Sequence, residues 1–180
     1  GCDSLFIQGA LGNVHPVRLG DDPCQRIAAS LAATAQGIVA EAVLEEDAEL
    51  RLATKTISPP SRTVGSVEEA RSHWQEQPRQ REGLARYEYW LAQHYQERSS
   101  YEFTLRAVAL GSSVLLHMPG EPFAETAKAI RAAVPFEQVV VTCNPCPEAG
   151  YLPTAEAHRE GGDEPLFAAL GTEAEEQIRA

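Results

Sequence analysis

Two short segments carry the side chains best suited to chemistry. Met118-Pro119-Gly120-Glu121 ends an apolar run, and Gly150-Tyr151-Leu152-Pro153-Thr154 follows about thirty residues on. Each falls where a strand should give way to a loop, the usual place for a rigid scaffold to present a catalytic or metal-binding group. Proline stiffens the entry to Glu121 and glycine lets the backbone approach a ligand closely, so the carboxylate can be held facing a cleft. Zinc accepts carboxylate oxygen and works in catalysis with about three protein ligands plus water. Glu121 also stands at the start of a helix expected from Phe123, where an acid meets the favourable end of the dipole. Pattern alone leaves both readings open. Tyrosine binds a metal only when a cation draws its pKa down from about 10, and Tyr151 between Gly150 and Pro153 also suits a loop residue packed over the edge of a core.

A third segment, Gly9-Ala10-Leu11-Gly12-Asn13-Val14-His15-Pro16, lies near the start. Together the three resemble the neutral/alkaline ceramidase family. In that family the Glu of a Pro-Gly-Glu turn and the Tyr of a Tyr-x-x-Thr segment are zinc ligands, which implies Glu121 and Tyr151 as metal ligands and Zn2+ as cofactor. The separation and order of the two motifs, and Ala155-Glu156-Ala157-His158-Arg159-Glu160-Gly161-Gly162 after the tyrosine, fit the same resemblance. The family's glycine-rich loop resembles Gly-Asp-Val-Ser-Pro and carries the nucleophilic serine. Here it is Gly12-Asn13-Val14-His15-Pro16, so both the acid and the hydroxyl are replaced. His15 is thus the catalytic candidate. An imidazole titrating near neutrality suits a general base or a ligand, and a residue that merely fills the loop is the other reading.

The resemblance covers most of the 180 residues, less so residues 61 to 100. It implies the later part of a zinc-dependent amide-bond hydrolase acting on a small-molecule amide or lipid-like substrate, with lipid metabolism as its context. Two further zinc-ligand histidines of the family lie upstream of the matched region, so a full site needs ligands from there. The missing upstream half of the domain is then a further partner, and an exposed apolar patch is expected where it would pack. The alternative is an inactive ceramidase-like α/β domain that acts by binding or assembly. His73, His94 and His158 fall in polar helical contexts that suit solvent-exposed histidine, while His117, four before Glu121, is placed to share its cleft.

Composition narrows the choices. A 43% hydrophobic content over 180 residues supports a globular domain with a sizeable core. The formal charge of -11, from 26 acidic and 15 basic residues, argues against nucleic acid or an anionic membrane surface as partner. No apolar run approaches the roughly 18 to 20 residues of a transmembrane helix, no signal-peptide layout is visible, and a soluble protein is expected. The compartment is not legible. The cysteines are Cys2, Cys24, Cys143 and Cys146. Cys143-x-x-Cys146 lacks the second close pair of a structural zinc site, and two small residues closing a buried strand, in a turn made by Pro145 and Pro147, is the simpler reading.

The elements that must position these residues alternate between strand and helix. Ser4 to Gln8 already looks like a strand and Phe6 to Ala10 reads as a buried one running into a glycine-rich turn, Asp22 to about Glu46 reads as an alanine-rich helix packing closely on the sheet, and Leu50 to Ile57 as a strand. Val67 to Trp74 and Gln80 to Gln96 read as a helical insertion between residues 61 and 100, solvated on one side. Glu102 to Ala109 and Val114 to Met118 make a hairpin about Gly111-Ser112, followed by a helix from Phe123 to Val134 and a central buried strand from Gln138 to Thr142. Asp163 to Ala180 reads as a final helix. The expected fold is one α/β domain portion spanning residues 1 to 180, a layered mixed sheet with flanking helices and part of a larger catalytic domain.

Overall fold

The structure, a computed structural model, describes residues 5–43, 47–79, 82–144, 146 and 148–180. Cys2, Ser4, Leu44, Glu46, Gln80, Pro145 and Pro147, named above, lie outside them. The chain forms two compact units, one of residues 1–14 and 50–180 and the other of residues 15–49.

The larger unit is built on a four-stranded mixed sheet of β1 (Leu50–Ile57), β2 (Phe103–Leu110), β3 (Ser113–Pro119) and β5 (Gln138–Asn144), in the order β1-β2-β3-β5. The first three strands are antiparallel neighbours, and β5 runs parallel to β3. The β2–β3 hairpin turns at Gly111, whose positive φ of 56° suits glycine. The crossover from β3 to β5 carries β4 (Glu121–Pro122) and α4 (Ala124–Ala133), so the helix returns the chain for a second parallel strand. An α/β architecture is therefore present, with β5 at the sheet's edge rather than at its centre.

One face of the sheet is packed. Leu116, Met118, Val139 and Val141 meet Ala127 and Ile130 of α4 and Ala174 and Ile178 of α7 (Ala174–Arg179). A buried carboxylate links the two helices. Glu175 is 5% exposed, accepts from Thr126 Oγ1 at 2.7 Å, and accepts from Arg179 Nε at 3.0 Å. The register carries Leu50, Leu52, Val108, Leu110 and Val140 to the other face, where all five are exposed, Leu52 at 72%.

Between β1 and β2 lie α2 (Val67–Glu76) and α3 (Glu82–Tyr95). Ser66 and Glu69 close a reciprocal capping box at the start of α2, and α3 buries Ala85, Leu91, Ala92 and Tyr95. After β5 come β6 (Tyr151–Leu152), α5 (Ala155–Glu160) and α6 (Asp163–Leu166).

Three expectations are corrected. Residues 5–10 are not a buried strand: Leu5 and Phe6 are more than 80% exposed, and contact with the sheet begins where Gln8 O accepts from Cys143 N. The tail is not one helix. Residues 168–170, between α6 and α7, run extended, with bridges from Ala168 to Gly150 and from Leu170 to Ser61, because Ala169 and Leu170 are buried among the loops they pair with. In the smaller unit, α1 (Asp21–Glu41) has Asp21 and Asp22 in its first turn as charge would favour, but none of its residues is buried.

Candidate functional site

The two expected ligands are brought together by backbone pairing. β4 and β6 form a two-stranded parallel ladder in which Glu121 is the register partner of Tyr151, and Pro122 of Leu152. Register partners project from the same face of a ladder, with strands about 4.8 Å apart. The carboxylate and the phenol are therefore neighbours.

Each stands one residue after a glycine of positive φ, Gly120 at 67° and Gly150 at 60°. Those angles let β3 and the turn ending at Gly150 swing into β4 and β6 at positions where a side chain would be strained. Space imposes the same choice. A Cβ on Gly120 would lie 2.7 Å from Ala149 Cβ, and one on Gly150 would lie 2.8 Å from Tyr87 Oη. Gly120 N donates to Asn144 O and Glu121 N to Gly150 O, both at 3.0 Å, while Gly150 N donates to Cys146 O at 2.9 Å.

The glycine-rich segment closes over this pair. Gly12 N donates to Pro122 O at 3.0 Å, and Gly12 is buried against Glu121 O and the Phe123 ring, where no Cβ would fit. Asn13 makes a long-range cap that sequence reasoning missed. Its Oδ1 accepts from Ala124 N at 2.9 Å and its Nδ2 donates to Glu125 Oε2 at 2.7 Å. Helix α4 has no side-chain cap of its own. Asparagine's cap preference was the available signal, but its helix begins 111 residues away.

Burial raises the Glu121 carboxyl above its ordinary range. Tyr151 is also raised, first by burial and then by the Glu121 and Glu164 charges, so its phenol stays protonated at neutral pH without a cation. Cys143 is pushed up to about 11, chiefly by burial and next by Glu121, and its Sγ lies 3.1 Å from Gly9 O as donor. Such a thiol is a poor nucleophile at neutral pH.

His15 is exposed and begins the smaller unit. His117 is the register partner of Arg106 and Thr142, with Nδ1 3.4 Å from Thr142 Oγ1, and burial lowers its pKa. His73 is exposed and lies 3.1 Å from Glu88, and exposed His94 holds Trp90 O at 2.7 Å. His158 on α5 is half-buried rather than exposed, and burial lowers its pKa. Among the described residues no group of three or more His, Cys, Asp or Glu could hold a metal ion. Glu121 and Tyr151 place one carboxylate and one phenol as register partners on one ladder.

Comparison with solved structures gives the fold a precedent. The chain is similar to the neutral ceramidase from Pseudomonas aeruginosa, with a TM-score of 0.59 and 15% identity, covering 96% of this chain and 33% of that one. It is also similar to a ceramidase solved in complex with C2, with a TM-score of 0.55 and 13% identity, covering 88% and 33%. The shared property is the fold. The chain spans about a third of the length of these structures. No family model and no curated protein matches it. No described helix is long and apolar enough to cross a membrane.

Proposed function

We propose that this chain is part of a zinc-dependent amide-bond hydrolase related to neutral ceramidase, in which Glu121 and Tyr151 are metal ligands. The observation that carries the reading is their partnership in the β4–β6 ladder, fixed by two glycines of positive φ. The fold shared with two ceramidase structures supports it. Zinc, when bound, supplies Lewis-acid polarisation of the scissile carbonyl.

The chain's own groups have simpler tasks. Glu121, partly withdrawn from water, supplies a carboxylate whose charge a cation would relieve. Tyr151 supplies a phenol that ionises only beside such a cation. His15 stands where the resemblance puts the nucleophile, and an imidazole is chemically suited to act as a general base there. Further ligands come from outside the residues described, and the substrate is a small amide or lipid-like amide. The exposed apolar face of the sheet supports a larger layered domain with more chain packed there.

A second reading has its own support. Asn13 spends both ends of its amide on the start of α4, which suits a loop kept for structure in a domain that has lost its chemistry. Zinc content by elemental analysis and hydrolysis of a labelled N-acyl amide separate the two, measured on this chain and on any longer polypeptide containing it. The hydrolase reading expects zinc and turnover in the latter, both lost in Glu121→Ala. Zinc absent from both rejects it.

A further inference from the structure

The turn that presents Tyr151 is held from outside by α3. Tyr87, Leu91 and Tyr95 recur every four residues and so share one face of that helix. Tyr87 Oη donates to Phe167 O at 3.0 Å, and Tyr95 Oη donates to Glu148 O at 2.9 Å. Phe167 O is also the acceptor for Tyr151 N, at 3.4 Å. The two hydroxyls therefore grip the segment at Glu148, where the turn begins, and at the carbonyl that Tyr151 itself uses. Between these points Ala149 is fully buried, and its carbonyl accepts from Ala169 N at 3.2 Å.

The rings are fixed as well as the hydroxyls. Tyr87 lies 5.3 Å from Phe167 and 5.9 Å from Trp90, and Tyr95 lies 5.9 Å from both Trp90 and Tyr101, centroid to centroid. Burial pushes the Tyr87 phenol up to about 12 and raises Tyr95 further, so both remain donors at any working pH. A helix needing only an apolar anchor would be served by phenylalanine at either position. One hydroxyl on a carbonyl of the turn itself and one on the carbonyl that Tyr151 N also uses have a more specific effect, since together they set the path of the backbone that carries Tyr151.

We propose that Tyr87 and Tyr95 are positioning residues for Tyr151, holding residues 148–151 in the geometry that sets the phenol beside Glu121. This rests on the metal-site reading above, and it gives the helical segment between β1 and β2 a part in the site.

The test uses the full chain with Tyr87→Phe, Tyr95→Phe and the pair, which keep the rings, and Leu91→Ala as a control that weakens the same helix without touching a hydroxyl. Amide hydrogen exchange and denaturant stability are measured on each, and zinc affinity, by competition with a coloured chelator, on a longer polypeptide that contains the chain and carries the same substitutions. The expected result is about ten-fold faster exchange at Gly150 and Tyr151 in the paired variant, unchanged exchange in the β2–β3 hairpin, and zinc binding weakened about ten-fold. Leu91→Ala should lower stability without that local pattern. If the pair does not fold, the single variants are read in the same way, each with a smaller change. Exchange at Gly150 and Tyr151 that is unmoved, or moved equally by Leu91→Ala, overturns the proposal, as does zinc affinity equal to wild type. Zinc absent from both the wild-type chain and a longer polypeptide containing it rejects the metal reading instead, and the exchange data then decide the positioning role alone.

Discussion

A Cβ placed on Gly120 would stand 2.6 Å from the carbonyl oxygen of Gly150, so the turns that present Glu121 and Tyr151 are packed backbone to backbone. Each glycine meets two demands, a positive φ and the absence of a side chain. The site thus depends on residues that carry no chemistry themselves.

Gly120→Ala and Gly150→Ala should each cost about 3 kcal/mol, joining left-handed strain to a clash with neighbouring backbone. Gly161 also has a positive φ, 81°, but a Cβ there would meet nothing within 4 Å. Gly161→Ala should therefore cost only about 1 kcal/mol, the strain alone. Denaturant titration of the three variants checks the ordering, and equal losses would remove the packing argument.

Asn13→Ala should cost about 1 kcal/mol by leaving Ala124 N without its cap. Asn13→Asp keeps the acceptor but sets a second carboxylate against Glu125, whose pKa is lowered in the parent chiefly by its hydrogen bond from Asn13. That variant should be least stable relative to the parent above the carboxylate range, and the gap should narrow as acid neutralises one of the pair. Unfolding followed from pH 4 to 8 tests both statements.

Glu121 has a folded-state pKa above its unfolded value, so between the two the folded chain binds more protons and stability falls as pH rises. The metal-free chain should therefore gain slightly from Glu121→Gln at neutral pH, with the gain vanishing below the ordinary carboxylate range. Zinc binding by a longer polypeptide containing the chain should be lost with the same substitution. A variant that is destabilised at neutral pH without zinc would show that the carboxylate has a structural partner, contrary to this account.

Thr126→Val should cost about 2 kcal/mol at neutral pH, because it strips a donor from the buried Glu175 carboxylate and leaves only Arg179. Thr126→Ser should cost less, since it keeps the hydroxyl. Thermal unfolding of the two variants measures the difference.

Much of the larger unit was legible in the sequence because its signals are local. Alternation from Leu50 to Ile57 gave β1 its observed bounds, and the Gly111 turn between two apolar runs gave the β2–β3 hairpin. Errors arose where burial is a matter of neighbours. The apolar run at Leu5 to Ile7 looks like a core strand but is exposed, and Ala168 to Leu170 looks helical but is pulled out straight by pairing with Gly150 and Ser61.

The site divides in the same way. The glycine turns at strand ends made Glu121 and Tyr151 candidates, but residue type and spacing left each open to a structural reading, and it was the resemblance to the ceramidase family that singled them out as ligands. Their face-to-face register, the Asn13 cap on α4 and the Tyr87 and Tyr95 bonds to Phe167 and Glu148 were decided only by tertiary structure. Each joins residues separated by tens of positions, and a hydrogen bond across such a distance leaves no periodicity in the chain. It exists only after the sheet and helices have packed and brought its donor and acceptor within 3 Å or so of each other.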